Sequence, residues 1–303
     1  MNCAHCGQEH PDNFQFCPMT GQRLTPRFKA CINGQCPDYG KYILPLESRF
    51  CPSCGHPLEQ QVDDSKKKLE FTVYDVSFNM ILVEHGDFMM GATEEQEHSR
   101  PDERPVHKVV ITNDYYIGET QVTQALWAAI TGNNPSSFKG GYRPVERVSW
   151  YECLSFIRTL NRKLRAELAG KKFRLPTEAE WEFAARGGNK SENYLYAGSD
   201  ILKEVAWFRD NSNGKTRPVA EKKPNELGIY DMSGNVSEWC YDKYRNYFGG
   251  TEENPAYWTS LGVFCVYRGG SLGDVASDLR TSCRGYISPQ STSTFIGFRL
   301  VLS

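Results

Sequence analysis

The chain has 303 residues, 39% of them hydrophobic and 13% aromatic, which is enough for more than one folded unit with a sizeable core. Its formal net charge of −2 excludes a general electrostatic affinity for nucleic acid or anionic membranes. No stretch approaches the roughly 20 apolar residues of a membrane span, and the first residues lack the basic and apolar regions of a signal peptide. We therefore expect a cytoplasmic protein without a membrane partner.

The eleven cysteines are unevenly distributed, because seven precede residue 55 and four follow it. Without a secretory signal, cysteines at this density indicate metal binding in a reducing compartment rather than disulfides. The charged, polar stretch 59–70 is typical of a linker. The sequence thus predicts two small cysteine modules, 1–25 and 26–58, then the linker, and then one large domain, 71–303.

The second module carries two cysteine pairs that predict a structural zinc site. Four thiolates at the corners of a tetrahedron satisfy Zn²⁺ and leave no open coordination position for catalysis. The predicted ligands are Cys31, Cys36, Cys51 and Cys54. Two disulfides are the alternative, but they need an oxidising compartment for which the sequence has no signal.

The first module follows the same pattern with three cysteines, Cys3, Cys6 and Cys17. Either His5 or His10 completes a zinc site, or the module binds no metal and is held by the packing of its aromatic residues. Both modules resemble the zinc ribbons appended to many bacterial proteins. The resemblance implies docking to a protein partner, and the modest basic content makes nucleic acid the weaker alternative.

The large domain opens with strand segments, predicted at 80–84, 109–111 and 115–117. The loop 93–105 is rich in acidic residues and is expected to be exposed to solvent. The predicted helices cover 124–130, 150 to about 168, and 174–188. Thr123, Ser149 and Thr177 have the side chains of N-caps, and Glu152 and Glu180 at the third helical positions complete capping boxes.

Several motifs in the large domain occur in the order found in one protein family. They are 118–123 (GETQVT), 144–150, 174–188, 228–239, and the pair 268–271 (RGGS) and 297–300 (GFRL). Together they resemble the formylglycine-generating enzyme (sulfatase-modifying factor) family, over nearly everything after residue 75. The resemblance implies an α+β domain with a C-type-lectin-like core, little regular secondary structure and many long irregular loops.

The family's enzymes use a cysteine pair shortly after the Gly-Gly-Ser motif to bind copper(I) and oxidise a sulfatase cysteine. Soft thiolates suit copper(I), and two of them are needed. Here the aligned positions fall near Asp274 and Leu279, neither of which is a thiolate, and Cys283 stands alone. The resemblance therefore implies a scaffold without the family's catalysis, and a residual oxidase that uses Cys283 or a bound metal is the alternative.

The stretch 228–239 resembles the family's calcium loop. The resemblance implies four ligands, namely the Asp231 side chain, the Gly234 and Val236 carbonyls, and the Glu238 carboxylate. Two carboxylates with carbonyl oxygens match the donor set that Ca²⁺ prefers. In the alternative interpretation, Glu238 accepts hydrogen bonds from the loop and no ion is bound.

The C-type-lectin-like version of this domain is also used by the variable proteins of diversity-generating retroelements. Their mutated segment lies at the position of 272–295 here. Adenine mutagenesis of AAC codons can yield every candidate residue. It cannot yield Lys, Glu, Met or Trp, and none of these occurs in 272–295. Gln290 is an exception, because glutamine cannot arise in this way either. A drifted ordinary loop is the alternative. The candidates are Leu272, Gly273, Asp274, Val275, Asp278, Cys283, Gly285, Tyr286, Ile287 and Ser288.

The same segment has no strand or helix periodicity, which favours a binding surface built on a loop. We expect exposed apolar anchors at Leu272, Val275, Tyr286 and Ile287, and polar contacts from Asp274, Asp278 and Ser288. Buried positions are expected at Leu279 and Ile296. Arg280 and Arg284 are expected to pair with acidic or carbonyl partners inside the domain.

These features predict a non-catalytic ligand-binding protein whose C-terminal face binds a protein or another macromolecule. A regulatory adaptor that docks through its zinc ribbons is the second hypothesis, and a residual metal-dependent oxidase is the third.

Overall fold

The computed structural model describes residues 28–30, 35, 37, 42–45, 53–54, 67–93, 96, 98–257 and 263–303. The chain divides into two units, Met1–Lys66 and Lys67–Ser303. In the first unit, strands β1 (Phe28–Ala30) and β2 (Tyr42–Pro45) pair antiparallel. Of the predicted zinc ligands only Cys54 is among the described residues, and it is exposed. The other six predicted ligands lie outside them, so both zinc sites stay predictions.

The second unit contains three sheets. The largest has the strand order β3-β4-β7-β14-β8 and is antiparallel throughout. Its strands are Lys68–Val73 (β3), Val76–Val83 (β4), Tyr115–Gly118 (β7), Phe173–Arg174 (β8) and Val301–Leu302 (β14). The last strand of the chain therefore lies inside this sheet, between β7 and the edge strand β8, which anchors the C-terminal segment to the start of the domain.

Two smaller sheets complete the unit, with strand orders β10-β6-β5 and β12-β11-β9-β13. The first consists of Gly86–Met90 (β5), His107–Ile111 (β6) and Thr251–Glu253 (β10). The second consists of Ser237–Lys243 (β9), Cys265–Arg268 (β11), Arg284–Ile287 (β12) and Ile296–Phe298 (β13). In the second sheet β12 and β13 are the edge strands, so the predicted variable segment begins after β11, contains β12 and ends at β13.

The helices are α1 (Gln124–Thr131), α2 (Trp150–Lys163), α3 (Glu178–Ala185) and the single turn α4 (Leu202–Val205). Their caps match the sequence prediction. Thr123 accepts a hydrogen bond from the Leu126 amide, and Ser149 and Thr177 form capping boxes with the predicted glutamates. Two predicted helices were too long. The second helix ends at Lys163 instead of near 168, and the third begins only at Glu178, with Arg174 in β8.

Helix α3 differs from an ordinary surface helix because all eight of its residues are buried. Its apolar residues join a cluster that includes Trp181, Phe183 and Val266, while a second cluster lies around α1, α2 and the five-stranded sheet. The helix also buries three glutamates, Glu178, Glu180 and Glu182. Buried carboxylates are costly unless they are paired, so the location of their partners determines how the domain is held together.

Among the described residues, no helix combines the length and the apolar character needed to cross a lipid bilayer.

Candidate ligand-binding face

The C-terminal segment leaves β11 through a Gly-Gly turn that fits closely against the rest of the domain. Gly269 and Gly270 have φ values of 95° and 63°, a region that strains residues with a side chain. A Cβ on Gly270 would lie 2.7 Å from the Asp278 carbonyl oxygen. The Gly234 amide donates to the Gly269 carbonyl at 2.9 Å, and the Leu272 amide donates to the Asn235 carbonyl at 2.9 Å. The loop 231–238 therefore fixes the start of the segment.

Three arginines of β11 and the C-terminal segment are buried and paired with buried glutamates. Arg280 forms two hydrogen bonds with Glu103, at 2.6 and 2.7 Å, and Arg284 donates to Glu178 at 2.7 Å through Nε. Arg268 donates to Glu182 and, at 2.6 Å, to the carbonyls of Ser282 and Cys283. The expected framework pairing of Arg280 and Arg284 is confirmed. We call these three ion pairs the arginine framework.

The acidic partners of this framework were not predicted from the sequence. Glu103 lies in the loop that was expected to be exposed, yet it is fully buried. Its carboxylate also accepts from the Ser282 hydroxyl at 2.9 Å and from the Arg100 amide at 3.0 Å. These donors outweigh burial, which alone would raise the pKa of Glu103, so its pKa is lowered. The prediction of a solvated loop was wrong at Glu103 because a cation far along the sequence neutralises it.

The predicted face residues fall into two groups by exposure. Tyr286 is exposed, and Gly273, Asp274, Val275, Asp278, Ile287 and Ser288 are half-buried. Leu272, Cys283 and Gly285 are buried. The expectation that Leu272 is an exposed anchor was wrong, since only 2% of it is accessible, whereas Leu279 and Ile296 are buried as expected. We call the accessible residues of 273–278 and 286–288 the binding face.

Local hydrogen bonds hold the two aspartates of the binding face in place. Asp274 Oδ2 accepts from the Ser271 amide at 2.8 Å and from the Ser271 hydroxyl at 2.7 Å. Asp278 Oδ1 accepts from Arg100 at 2.6 Å, and Arg100 is partly exposed. The face is therefore ordered before any ligand arrives, which reduces the entropy that binding would cost.

Aromatic residues outside the predicted candidates border this face. Tyr286 packs on Tyr244 with ring centroids 3.8 Å apart and ring planes inclined by 30°, and the ring centroid of Phe264 lies 5.6 Å from that of Tyr286. Phe295 is also exposed, and its ring packs on Gly273. Tyr244 and Phe264 precede the segment in sequence, so the resemblance to variable segments gave no reason to include them. Only their aromatic side chains could have indicated them, because aromatic residues are frequent at the centres of interfaces.

The predicted calcium loop has an unusual hydrogen-bond centre. The carbonyl oxygens of Asp231, Gly234 and Val236 and Oε1 of Glu238 all lie 2.7–3.3 Å from one atom, Gln121 Nε2. The Asp231 side chain was expected to be a ligand, but its Oδ2 accepts from the Ala220 amide at 2.8 Å and its Oδ1 is buried without a partner. Burial raises the pKa of Asp231 to about 6.

Glu238 itself is fully engaged. Arg299 donates to both carboxylate oxygens, at 2.8 and 2.9 Å, and Trp181 Nε1 donates to Oε2 at 2.7 Å. With the Gln121 amide these make four donors, which is the capacity of a carboxylate. Within the described part of the chain, no group of three His, Cys, Asp or Glu side chains could hold a metal ion. Calcium at this loop stays a prediction.

Comparison with known proteins identifies the large domain. Residues 72–303 match the model of the sulfatase-modifying factor enzyme 1-like domain. The chain belongs to this family. This sulfatase-modifying-factor-like domain is similar to the solved structure of Treponema denticola variable protein 1, with a TM-score of 0.69 and 33% sequence identity. The match covers 77% of this chain and 98% of the variable protein. The predicted α+β fold, C-type-lectin-like and of the formylglycine-generating-enzyme type, is confirmed.

The curated relatives of the sulfatase-modifying-factor-like domain include proteins named for different functions. The chain is 37% identical over 212 residues to a chaperone protein LppX of Paenibacillus barcinonensis, covering 55% of this chain and 72% of that protein. It is 32% identical over 173 residues to the formylglycine-generating enzyme of Streptomyces coelicolor, covering 52% of this chain and 51% of the enzyme. The chain thus spans about half of that enzyme's length. Family membership alone does not decide between binding and catalysis.

The two positions near which the family resemblance predicted the copper-binding cysteines, Asp274 and Leu279, have other structural roles in this chain. Leu279 is fully buried in a cluster with Phe208 and Leu202, and Asp274 caps the turn at Ser271. Cys283, the only cysteine of the segment, is 5% exposed. Burial, with added repulsion from Glu103, raises the pKa of its thiol to about 12 even though Arg100 and Arg280 act in the opposite direction. A thiol with this pKa is protonated at neutral pH and is a poor nucleophile and metal ligand.

We therefore predict that Cys283 resists alkylation in the folded protein. At pH 8 its thiolate fraction should be about 10³-fold below that of an ordinary cysteine with a pKa near 8.5. Iodoacetamide labelling followed by peptide mass spectrometry would measure this, with the guanidinium-unfolded protein as the control for full reactivity. Rapid labelling of Cys283 in the native protein would favour the oxidase hypothesis instead.

Proposed function

We propose that this chain is a non-catalytic ligand-binding protein whose binding face is carried by residues 273–278 and 286–288. The observation that carries the proposal is the separation within one segment of accessible and buried residues. The buried ion pairs of the arginine framework fix the backbone of the segment, and its accessible residues lie on an irregular loop. The segment has one cysteine and therefore no pair of thiolates. Scaffolds that hold both ends of an irregular loop rigidly are a common way to build binding sites. Similarity to a variable protein supports the same function.

The chemistry of the face suits a macromolecular ligand, and we propose a protein or a comparably large partner. Tyr286, Phe264 and Phe295 expose between 41% and 44% of their surface, and the same segment carries two aspartates held by hydrogen bonds. Aromatic anchors beside fixed polar groups are the combination that dominates the energetics of protein interfaces. We expect no membrane partner and no nucleic acid, and we place the protein in the cytoplasm.

We also propose that the segment is diversified by a retroelement, and the structure limits which positions could vary freely. A Cβ at Gly285 would lie 2.3 Å from the Tyr267 ring, and Leu272 and Cys283 are buried. Sequencing the encoding locus tests the proposal. A reverse-transcriptase gene beside a near-identical repeat of the 3′ end that differs only at adenines would support it. A locus with neither feature would overturn it and leave a fixed binding face.

The binding function can be tested without knowledge of the natural ligand. Binders selected from a random protein library against the purified chain should mostly lose at least about 10-fold in affinity when Tyr286 is replaced by Asp, because a charge then replaces an exposed aromatic anchor of the binding face. Ile201→Asp is the matched control, since Ile201 is a 60% exposed apolar residue outside the face. Binders that respond equally to both changes would contradict the proposal.

Two alternatives keep specific support. The two cysteine modules favour an adaptor that docks through zinc, which we propose is held by Cys31, Cys36, Cys51 and Cys54, and in the first module by Cys3, Cys6 and Cys17. Elemental analysis of the purified chain should find one or two zinc ions per chain, and none would sink the zinc proposal. The similarity to a formylglycine-generating enzyme favours a residual oxidase, which copper-dependent oxygen consumption would reveal.

A further inference from the structure

The loop 231–238 is closed in the structure by side chains that occupy the position expected for a cation. Four oxygens converge on Gln121 Nε2, which has only two hydrogens to donate. Inward-pointing carbonyls with one carboxylate form the kind of cage that otherwise surrounds a hard cation. Gln121 reaches it from the turn between β7 and α1, more than a hundred residues away in sequence.

Arg299 adds a positive charge beside the same loop. Its guanidinium donates to both carboxylate oxygens of Glu238, and at 2.7 Å to the carbonyls of Gly118 and Tyr230. Arg299 is fully buried. A calcium ion in the cage would lie close to this permanent positive charge and would compete with it for a carboxylate that already accepts four hydrogen bonds. The affinity of calcium sites depends on the number of uncompensated carboxylates, and Glu238 is already neutralised.

From this geometry we infer that Gln121 and Arg299 replace a cation in this chain, so that the domain folds and presents its binding face without calcium. The consequence for the face is direct, because the loop donates from Gly234 to Gly269 and from Ser233 Oγ to the Leu279 carbonyl. Whatever closes the loop also positions the segment. This inference goes beyond the proposed binding function and does not depend on it.

Thermal unfolding of the full-length chain tests the inference. Calcium chelators also bind zinc, so the protein is first freed of calcium on a chelating resin and then titrated with CaCl₂, with MgCl₂ as a parallel control. A bound ion at a 100-fold excess over its dissociation constant would raise Tm by about 5 °C or more. We expect a shift below about 1 °C for the natural sequence. A shift of several degrees with one calcium per chain would overturn the inference.

The variant Gln121→Glu makes the test symmetrical. A second carboxylate at the centre of the cage has no donor for its added charge, so the variant should have a lower Tm and should recover several degrees on addition of calcium. Gln124→Glu is the matched control. Gln124 is also buried and donates to the Phe138 and Pro144 carbonyls at 2.8 and 3.1 Å, but it lies outside the cage. It should lose stability without gaining a calcium response.

A second readout covers the case in which Gln121→Glu does not fold. The Trp181 indole lies against Glu238, so terbium in the cage of the natural sequence would be sensitised by tryptophan excitation. At one equivalent of terbium we expect no sensitised emission that millimolar calcium can displace, and such emission would overturn the inference. If Gln121→Glu folds but its Tm does not change on addition of calcium, Gln121 does not occupy a cation position, and this result would also overturn the inference.

Discussion

Replacing Glu182 with alanine is expected to destabilise the large domain by about 3–5 kcal/mol, because removing one partner of a buried ion pair leaves the other charge uncompensated. Glu182 and Arg268 are both fully buried, and Arg268 would keep only its carbonyl acceptors and the Glu178 carboxylate, which lies 3.6 Å from its Nε and already pairs with Arg284. Glu182 also accepts from Arg186 at 2.7 Å and from the Gly91 amide at 2.9 Å. For a domain of this size the loss corresponds to a decrease in Tm on the order of 10 °C.

The control for this variant is Glu204→Ala. Glu204 pairs with Lys223 at 3.0 Å, but both side chains are more than a third exposed, so its loss should change stability by less than about 1 kcal/mol. Denaturant unfolding of both variants as full-length chains measures the difference. Equal effects would show that the arginine framework is not a main source of stability and would remove the argument that it fixes the binding face.

The pH dependence of the Glu182 contribution has a definite sign. Burial would raise the pKa of Glu182, but Arg186 and Arg268 outweigh burial and lower it. The stabilisation is therefore complete above the ordinary glutamate value and is lost as the pH falls through the lowered pKa. The stability difference between the natural chain and Glu182→Ala should accordingly shrink in acid.

The sequence predicted best those features whose cause is local. Thr123, Ser149 and Thr177 act as N-caps because a cap needs only a side chain and the amides of the next turn. The predicted third helix was too long for a related reason. Capping preferences locate the start at Thr177, whereas Arg174 belongs to β8 because β14, from the far end of the chain, pairs with it.

Features that depend on distant partners could not be predicted in the same way. The acidic loop around Glu103 has the composition of a solvated surface, and only Arg280, 177 positions later, makes its burial favourable. Leu272 belongs to a segment without periodicity, so nothing in the sequence indicated which of its side chains face inward. The motif resemblance identified the loop that ends at Glu238, but not that Gln121 occupies its centre.

The variant Leu272→Asn is expected to cost about 4 kcal/mol, and it distinguishes a buried structural position from a variable one. The change removes a buried leucine side chain and leaves an amide without partners, each of which costs about 2 kcal/mol or more. The main-chain atoms of Leu272 are already used, since its carbonyl accepts from the Ser212 hydroxyl at 2.9 Å and its amide donates to Asn235. The main-chain amide and carbonyl of residue 272 are therefore not available as partners for the asparagine side chain.

Tyr286→Asn is the matched comparison, because it introduces the same residue at an exposed position of the same segment. It should cost about 1 kcal/mol, mainly through the lost ring contact with Tyr244. Both values can be measured by denaturant unfolding at pH 7. If the two variants are equally stable, Leu272 tolerates asparagine and could be one of the positions that the proposed diversification changes. If only Tyr286→Asn folds normally, Leu272 is a structural position, and the diversification that we propose would be confined to the accessible binding face.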